Sequence, residues 1–239
     1  MSLQNYKASM STIAESFEKV SSQIKEACDL AKRPVESVQL LAVSKTRSAD
    51  EVREMAALGQ QAFGENYLQE SLDKIVATED LSLEWHFIGP IQSNKTKPIA
   101  ENFSWVHSVD RLKIAERLSA QRPYYAHDLN ICLQVNSSRE ESKSGCLPED
   151  ALALALKMHA LPRVKLRGLM AIPEATDDLA KQHQQFREVR ELFETIKAEI
   201  PELDTLSMGM SDDLIPAVEE GATIVRIGTA LFGPRNYKQ

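Results

Sequence analysis

The feature that most constrains this chain is the regular alternation of short, unbroken apolar runs with longer stretches of helical spacing. The first run, VQLLAVSK from Val38 to Lys45, has no polar alternation before it reaches Ser44. A strand with one wet face shows a period of two. A run without that period reads as a strand buried on both faces, as in a parallel sheet. Parallel neighbours need a crossover, usually a helix. Helical patterns lie where such crossovers belong: Ala49 to Leu58, Tyr67 to Ala77, from about Lys95, Arg111 to Gln121, Pro148 to His159, Leu179 to Glu199 and Asp212 to Glu220. The strands between them read QAFGE, EWHFIG, SWVHSV, LNICLQVN, VKLRGLMAI, TLSMGM and TIVRIG. Eight such units in about 200 residues predict a closed (β/α)8 barrel, a TIM barrel of the α/β class. An extra amphipathic helix precedes it, from about Asn5 to Ala31, with Ile13, Phe17, Val20, Ile24 and Ala27 on one face. The expected organisation is one domain over 1–239, with the helix in 1–35 and the barrel in 36–235. An open doubly wound sheet is the alternative. It would have fewer strands, and it often carries a Gly-rich fingerprint after strand 1, which is absent here.

Composition narrows the partners. With 43% hydrophobic and 26% charged residues the chain reads as a soluble globular protein. A net charge of −7 argues against nucleic acid as the main partner. No apolar run approaches the roughly 20 residues that span a bilayer. The start, MSLQNYKASMSTIAESF, lacks the apolar core of a secretory signal, so the expected location is cytoplasmic. Cys28, Cys132 and Cys146 form no pair or Cys/His cluster at metal spacing and read as structural. The polar loop Asn136 to Gly145 reads as a solvated connection or a cover.

Barrel enzymes place function at the C-terminal ends of their strands. Lys45 ends strand 1. An ammonium there is costly unless paired or deprotonated, and a depressed pKa makes a lysine nucleophilic toward aldehydes. The structural alternative is a packed stem with its head in water. Asn66, after strand 2, suits a ligand oxygen or a helix cap. His86 in EWHFIGP suits ring stacking, proton transfer or a hydrogen-bonded core position. The stretch SMGMSDDLIPAVEEGA leads from a strand through a glycine turn into a helix start, a setting that suits phosphate. Ser211 there is either a phosphate donor or an N-cap. Asp212 and Asp213 would repel phosphate, so their side chains should point away. Gly228 and Thr229 in RIGT offer a second cradle, glycine allowing close approach. Arg226 alternates with Val225 and Ile227, so it points to the opposite side from them. If it faces the barrel mouth it needs an acceptor, either a pyridine nitrogen or a carboxylate.

These residues lie within LLAVSKT, FGENYLQE, WHFIGPIQSNK, VHSVD, LQVN, KSG, GLMAIP, LSMGMSDD and VRIGTALFG. In this order, from about Val38 to Gly233, the motifs together resemble the YggS/PROSC family of pyridoxal 5′-phosphate (PLP) homeostasis proteins. That family is similar to the N-terminal barrel of alanine racemase. The resemblance implies PLP held as a Schiff base on Lys45, phosphate held by Ser211, Gly228 and Thr229, and Arg226 facing the pyridine nitrogen. It implies Asn66, His86 and Met210 as pocket lining. An arginine donor disfavours ring protonation and weakens the ring as an electron sink.

Related racemases carry a further C-terminal β domain, and a partner subunit supplies a catalytic tyrosine. This sequence ends at Gln239, just after strand 8. The expectation is therefore a monomeric, non-catalytic PLP carrier that buffers the aldehyde and serves apo PLP-dependent enzymes. A minimal PLP enzyme such as an amino-acid racemase is the second reading. A sugar-phosphate enzyme using a lysine Schiff base is the third, and it leaves Arg226 without a ring nitrogen to meet.

Overall fold

The computed structural model describes residues 3–234, with side chains from residue 12 onward. Eight strands run in sequence order around a closed barrel: β1 Gln39–Val43, β2 Ala62–Glu65, β3 Glu84–Phe87, β4 Trp105–Val109, β5 Leu129–Val135, β6 Val164–Ala171, β7 Thr205–Ser207 and β8 Ile224–Ile227. Each pairs in parallel with the next. The ring closes where Leu40 and Leu41 of β1 lie opposite Val225 and Arg226 of β8. The helices are α1 Leu3–Leu30, α2 Ala49–Ala57, α3 Leu68–Ala77, α4 Thr96–Asn102, α5 Leu112–Gln121, α6 Pro148–His159, α7 Leu179–Glu199, α8 Leu214–Glu219 and α9 Thr229–Phe232. The expected TIM barrel with its extra N-terminal helix is the fold found. Arg235, the last residue expected in the barrel, lies outside the described residues.

Local chemistry sets the element starts. Ser48 and Glu51 form a reciprocal capping box at α2. Asp178 accepts the amide hydrogens of Ala180 and Lys181 at α7. Pro148 opens α6, where its missing N–H costs nothing. The helix expected from Asp212 starts only at Leu214, because Asp213 turns back to accept the Met210 amide hydrogen.

Strand alternation divides the apolar side chains into two sets. Phe63, Val106, Ile131, Leu169 and Val225 belong to the larger core between the strands and the surrounding helices. Leu41, Ala62, Trp105, Cys132, Met170 and Ile224 form a smaller cluster filling the barrel. Residues two apart share a face, so His107 joins Trp105 inside and Arg226 joins Ile224. The lower end of the barrel is plugged by Arg167, which sits at an irregularity in the β5–β6 register. It pairs bidentately with Asp204, donates to Asn130 and lies 4.7 Å over the Trp105 ring.

At Gly168 the strands touch backbone to backbone. A Cβ there would fall 1.7 Å from the carbonyl oxygen of Thr205. Gly168→Ala is therefore expected to lower stability by at least about 1–3 kcal/mol, the usual cost of overpacking. Urea unfolding measures it, and an unchanged midpoint would mean that β6 and β7 can part there cheaply.

Helix α1 packs on α8, α9 and α2 rather than crossing between two strands. Its Ala27 and Cys28 are fully buried. All three cysteines are buried and unbridged. Among the described residues, no helix is long and apolar enough to cross a membrane and no metal-ligating cluster occurs.

Candidate functional site

The C-terminal ends of the strands open into a cavity of about 630 Å³. Seven of the residues singled out from the sequence line it: Lys45, Asn66, Met210, Ser211, Arg226, Gly228 and Thr229. Arg226 comes from β8 itself and the others from the segments after β1, β2, β7 and β8, with α1 adding Ser16, Lys19, Val20 and Gln23 to the wall.

His86 does not line this cavity. It is fully buried one step lower in the barrel, stacked on Trp105 at 5.3 Å and bonded to Glu84 and His107. Ile88, two residues further along the same face, borders the cavity instead. The polar loop 136–145 also stays out of the wall. Its base is fastened by the Asn136 amide donating to the Cys146 carbonyl and the Cys146 amide donating to Gln134.

The Lys45 segment is clamped from below. Ser44 Oγ donates to Glu65 Oε1 at 2.6 Å. The Lys74 ammonium donates to the Ser44 carbonyl, to Glu65 and to Glu70. Glu70 also accepts from the amide of Thr46, which has a φ of 66°. Two acids and a buried lysine thus hold the backbone on both sides of Lys45. Burial pushes the Glu65 carboxyl up, against the opposing pull of Lys74. On the outer side, Arg47 donates to the carbonyls of Gly233 and Pro234 beyond α9.

Arg226 is 4% exposed. Its hydrogen-bond partners are neutral, Ser207 Oγ at 2.8 Å and the Ala171 carbonyl at 3.0 Å. Burial pushes the guanidinium down to about 10, with Asp213 opposing, so it remains a cation at neutral pH. Asn66 Oδ1 is buried without a hydrogen-bond partner. Ser211 lies in the turn ahead of α8, is not its cap, and lines the cavity. Of the two aspartates expected to point away, Asp213 folds back onto Met210, while Asp212 borders the cavity.

Sequence reasoning missed Glu70, Lys74, His107 and Ser207. The period of two in SWVHSV puts His107 on the face of Trp105 and could have flagged it. Lys74 in α3 carries no such mark, since a lysine in an amphipathic helix usually faces water.

The alanine racemase N-terminal domain family matches residues 18–236. A pyridoxal phosphate homeostasis protein of Pseudomonas aeruginosa is 62% identical over 228 residues, covering 95% of this chain and 98% of that protein. The chain belongs to the pyridoxal phosphate homeostasis protein family. A second family member, from Pasteurella multocida, is 50% identical over 95% of this chain and 100% of its own length. Among solved structures, PipY of Synechococcus elongatus with PLP bound superposes with a TM-score of 0.81 at 38% identity, over 92% of this chain and 100% of PipY. Alanine racemase of Corynebacterium glutamicum gives a TM-score of 0.69 at 17% identity, over 94% of this chain and 62% of the racemase, which speaks for a shared barrel fold alone.

Proposed function

We propose that this homeostasis-family chain binds PLP in the cavity as a Schiff base on Lys45, buffers the free aldehyde and passes it to apo-enzymes, without efficient turnover of its own. One observation carries the reading. A strand-end lysine, a buried arginine whose hydrogen-bond partners are neutral, and the Ser211, Gly228 and Thr229 segments of neighbouring strands all border one cavity.

Each residue fits a part of the ligand. Ser211 and Thr229 bring hydroxyls to the cavity lining, which suits phosphate. Gly228 lies against β1, where a Cβ would meet the Val43 carbonyl oxygen at 3.3 Å. The unsatisfied Asn66 Oδ1 suits a ligand hydroxyl. Arg226 has only donors to offer, so it serves an unprotonated pyridine nitrogen and holds it unprotonated. Bound PLP supplies an aldehyde for amines and, when its ring is protonated, an electron sink. By withholding the ring proton, Arg226 favours storage over carbanion chemistry. The family's names, given for homeostasis and not for a reaction, agree with this reading.

The test is to load the protein with PLP, record its spectrum, reduce with borohydride and map the modified peptide by mass spectrometry. A yellow band and a pyridoxyl group on Lys45 are expected. No uptake, or label scattered over surface lysines, overturns the reading. A sustained change in optical rotation with added amino acids would favour a racemase instead.

A further inference from the structure

Three buried polar side chains, His86, His107 and Ser207, occupy the barrel interior, where branched apolar residues are usual. They are joined end to end. Glu84 Oε1 lies 2.7 Å from His86 Nε2, and His86 Nδ1 lies 2.8 Å from His107 Nε2. His107 Nδ1 lies 2.7 Å from Ser207 Oγ, which accepts from Arg226. Glu84 opens β3 with its side chain 42% exposed, whereas Arg226 borders the cavity. The series therefore crosses the barrel from its lower rim to the ligand side, through residues of β3, β4, β7 and β8.

The hydrogen positions follow from what each end can do. A guanidinium only donates, and a carboxylate only accepts. Facing Glu84, His86 Nε2 must carry the hydrogen. Burial lowers the pKa of both imidazoles, His107 most, so each is neutral and carries one hydrogen. His86 Nδ1 is then an acceptor, and His107 Nε2 donates to it. His107 Nδ1 is an acceptor in turn and takes the Ser207 hydroxyl hydrogen. The serine is left presenting lone pairs to Arg226. Every bond runs one way, from Arg226 through Ser207, His107 and His86 to Glu84. Reversing any one of them sets two donors or two acceptors face to face.

We propose that this one-way column, closed at its far end by Glu84, fixes Ser207 as an acceptor beneath Arg226 and so keeps the guanidinium's remaining N–H groups directed at the ligand. Glu84, His86, His107 and Ser207 are then positioning residues for Arg226, linking it through the barrel interior to the lower rim. The ligand part of this inference rests on reading Arg226 as the partner of the PLP ring nitrogen.

The first experiment needs no ligand. In ¹⁵N-labelled apo protein, imidazole proton–nitrogen correlations are expected to show His86 and His107 both as neutral Nε2–H tautomers. Glu84→Gln substitutes a group that can also donate. It is expected to mix the tautomers of both rings and to move the Arg226 Nε–H resonance. A native Nδ1–H tautomer at either ring, or an unchanged spectrum in Glu84→Gln, overturns the column. The second experiment measures PLP binding. Glu84→Gln, remote from the cavity, is expected to weaken PLP by about two- to ten-fold, the worth of one hydrogen bond, and to shift its absorption maximum. Ser207→Ala is expected to move both in the same direction and further. Native-like PLP binding in both variants overturns the coupling to Arg226. A native protein that binds no PLP would sink the cavity reading instead, while the apo spectra still decide the column.

Discussion

Lys45→Ala protein, incubated with PLP and then dialysed, is expected to emerge colourless, while the parent stays yellow. Only a primary amine condenses with the aldehyde, and of the two lysines that border the cavity Lys45 stands where strand 1 ends, next to β8, while Lys19 comes from α1. The other contacts remain in the variant. Ser211, Gly228, Thr229 and Arg226 still border the cavity, so PLP is expected to bind reversibly and wash out. The fold is expected to survive, because Ser44 and Thr46 anchor this segment through Glu65, Glu70 and Lys74. Lys45→Arg sharpens the test, since it keeps a cation that cannot condense at neutral pH. A Lys45→Ala protein that stays yellow, with a borohydride-stable label elsewhere, would move the attachment to another lysine.

The largest loss of stability is expected from Lys74→Met. Lys74 and Glu65 are a buried pair, with side chains 6% and 0% exposed. Breaking such a pair by removing one partner typically costs about 3–5 kcal/mol, because the other charge is left uncompensated. Glu65 is poorly placed to absorb that change, since its Oε2 already has no hydrogen-bond partner. Adding Glu65→Gln to Lys74→Met is expected to recover part of the loss, which urea unfolding of the two proteins would show. The deficit should also depend on pH. The folded-state pKa of Glu65 is already raised by burial, and removing Lys74 raises it further. Protonation removes the orphaned charge, so the deficit is greatest above that raised pKa and shrinks as the pH falls through it. A Lys74→Met protein as stable as the parent at neutral pH would mean that water reaches Glu65.

The barrel was legible because its strands are buried on both faces and therefore lack the period of two. Helix ends were less so. At α8 the expected start fails because the Asp213 side chain is spent on the Met210 amide, which makes a turn of what reads as a first helical turn. The cavity wall was legible wherever a strand end or strand alternation alone decides position, as for Lys45 and Gly228 in the first way and Arg226 in the second. His86 shows the limit of that rule. β3 ends at Phe87, and the residue on the same face that reaches the cavity is Ile88, one step above the histidine. Glu70 and Lys74 read as an ordinary i,i+4 pair on a helix, and the backbone groups they hold arrive from another unit of the barrel. Thr46 and Ser44 lie 24 and 30 residues away from them, and no local pattern records such a meeting.

The column inside the barrel also bears on how the chain can be divided. His86 and His107 belong to the first four strands, Ser207 and Arg226 to the last two, and the bond between His107 and Ser207 spans 100 residues. A fragment ending after β4 would carry two imidazoles with no hydroxyl to meet, and its complement would carry a buried serine hydroxyl with no imidazole to take its hydrogen. Neither half can form a dry interior by itself, since unpaired polar groups there are expensive. Each is the missing solvent for the other, which penalises half-barrels that pair with copies of themselves and favours the heterologous union that restores the ring.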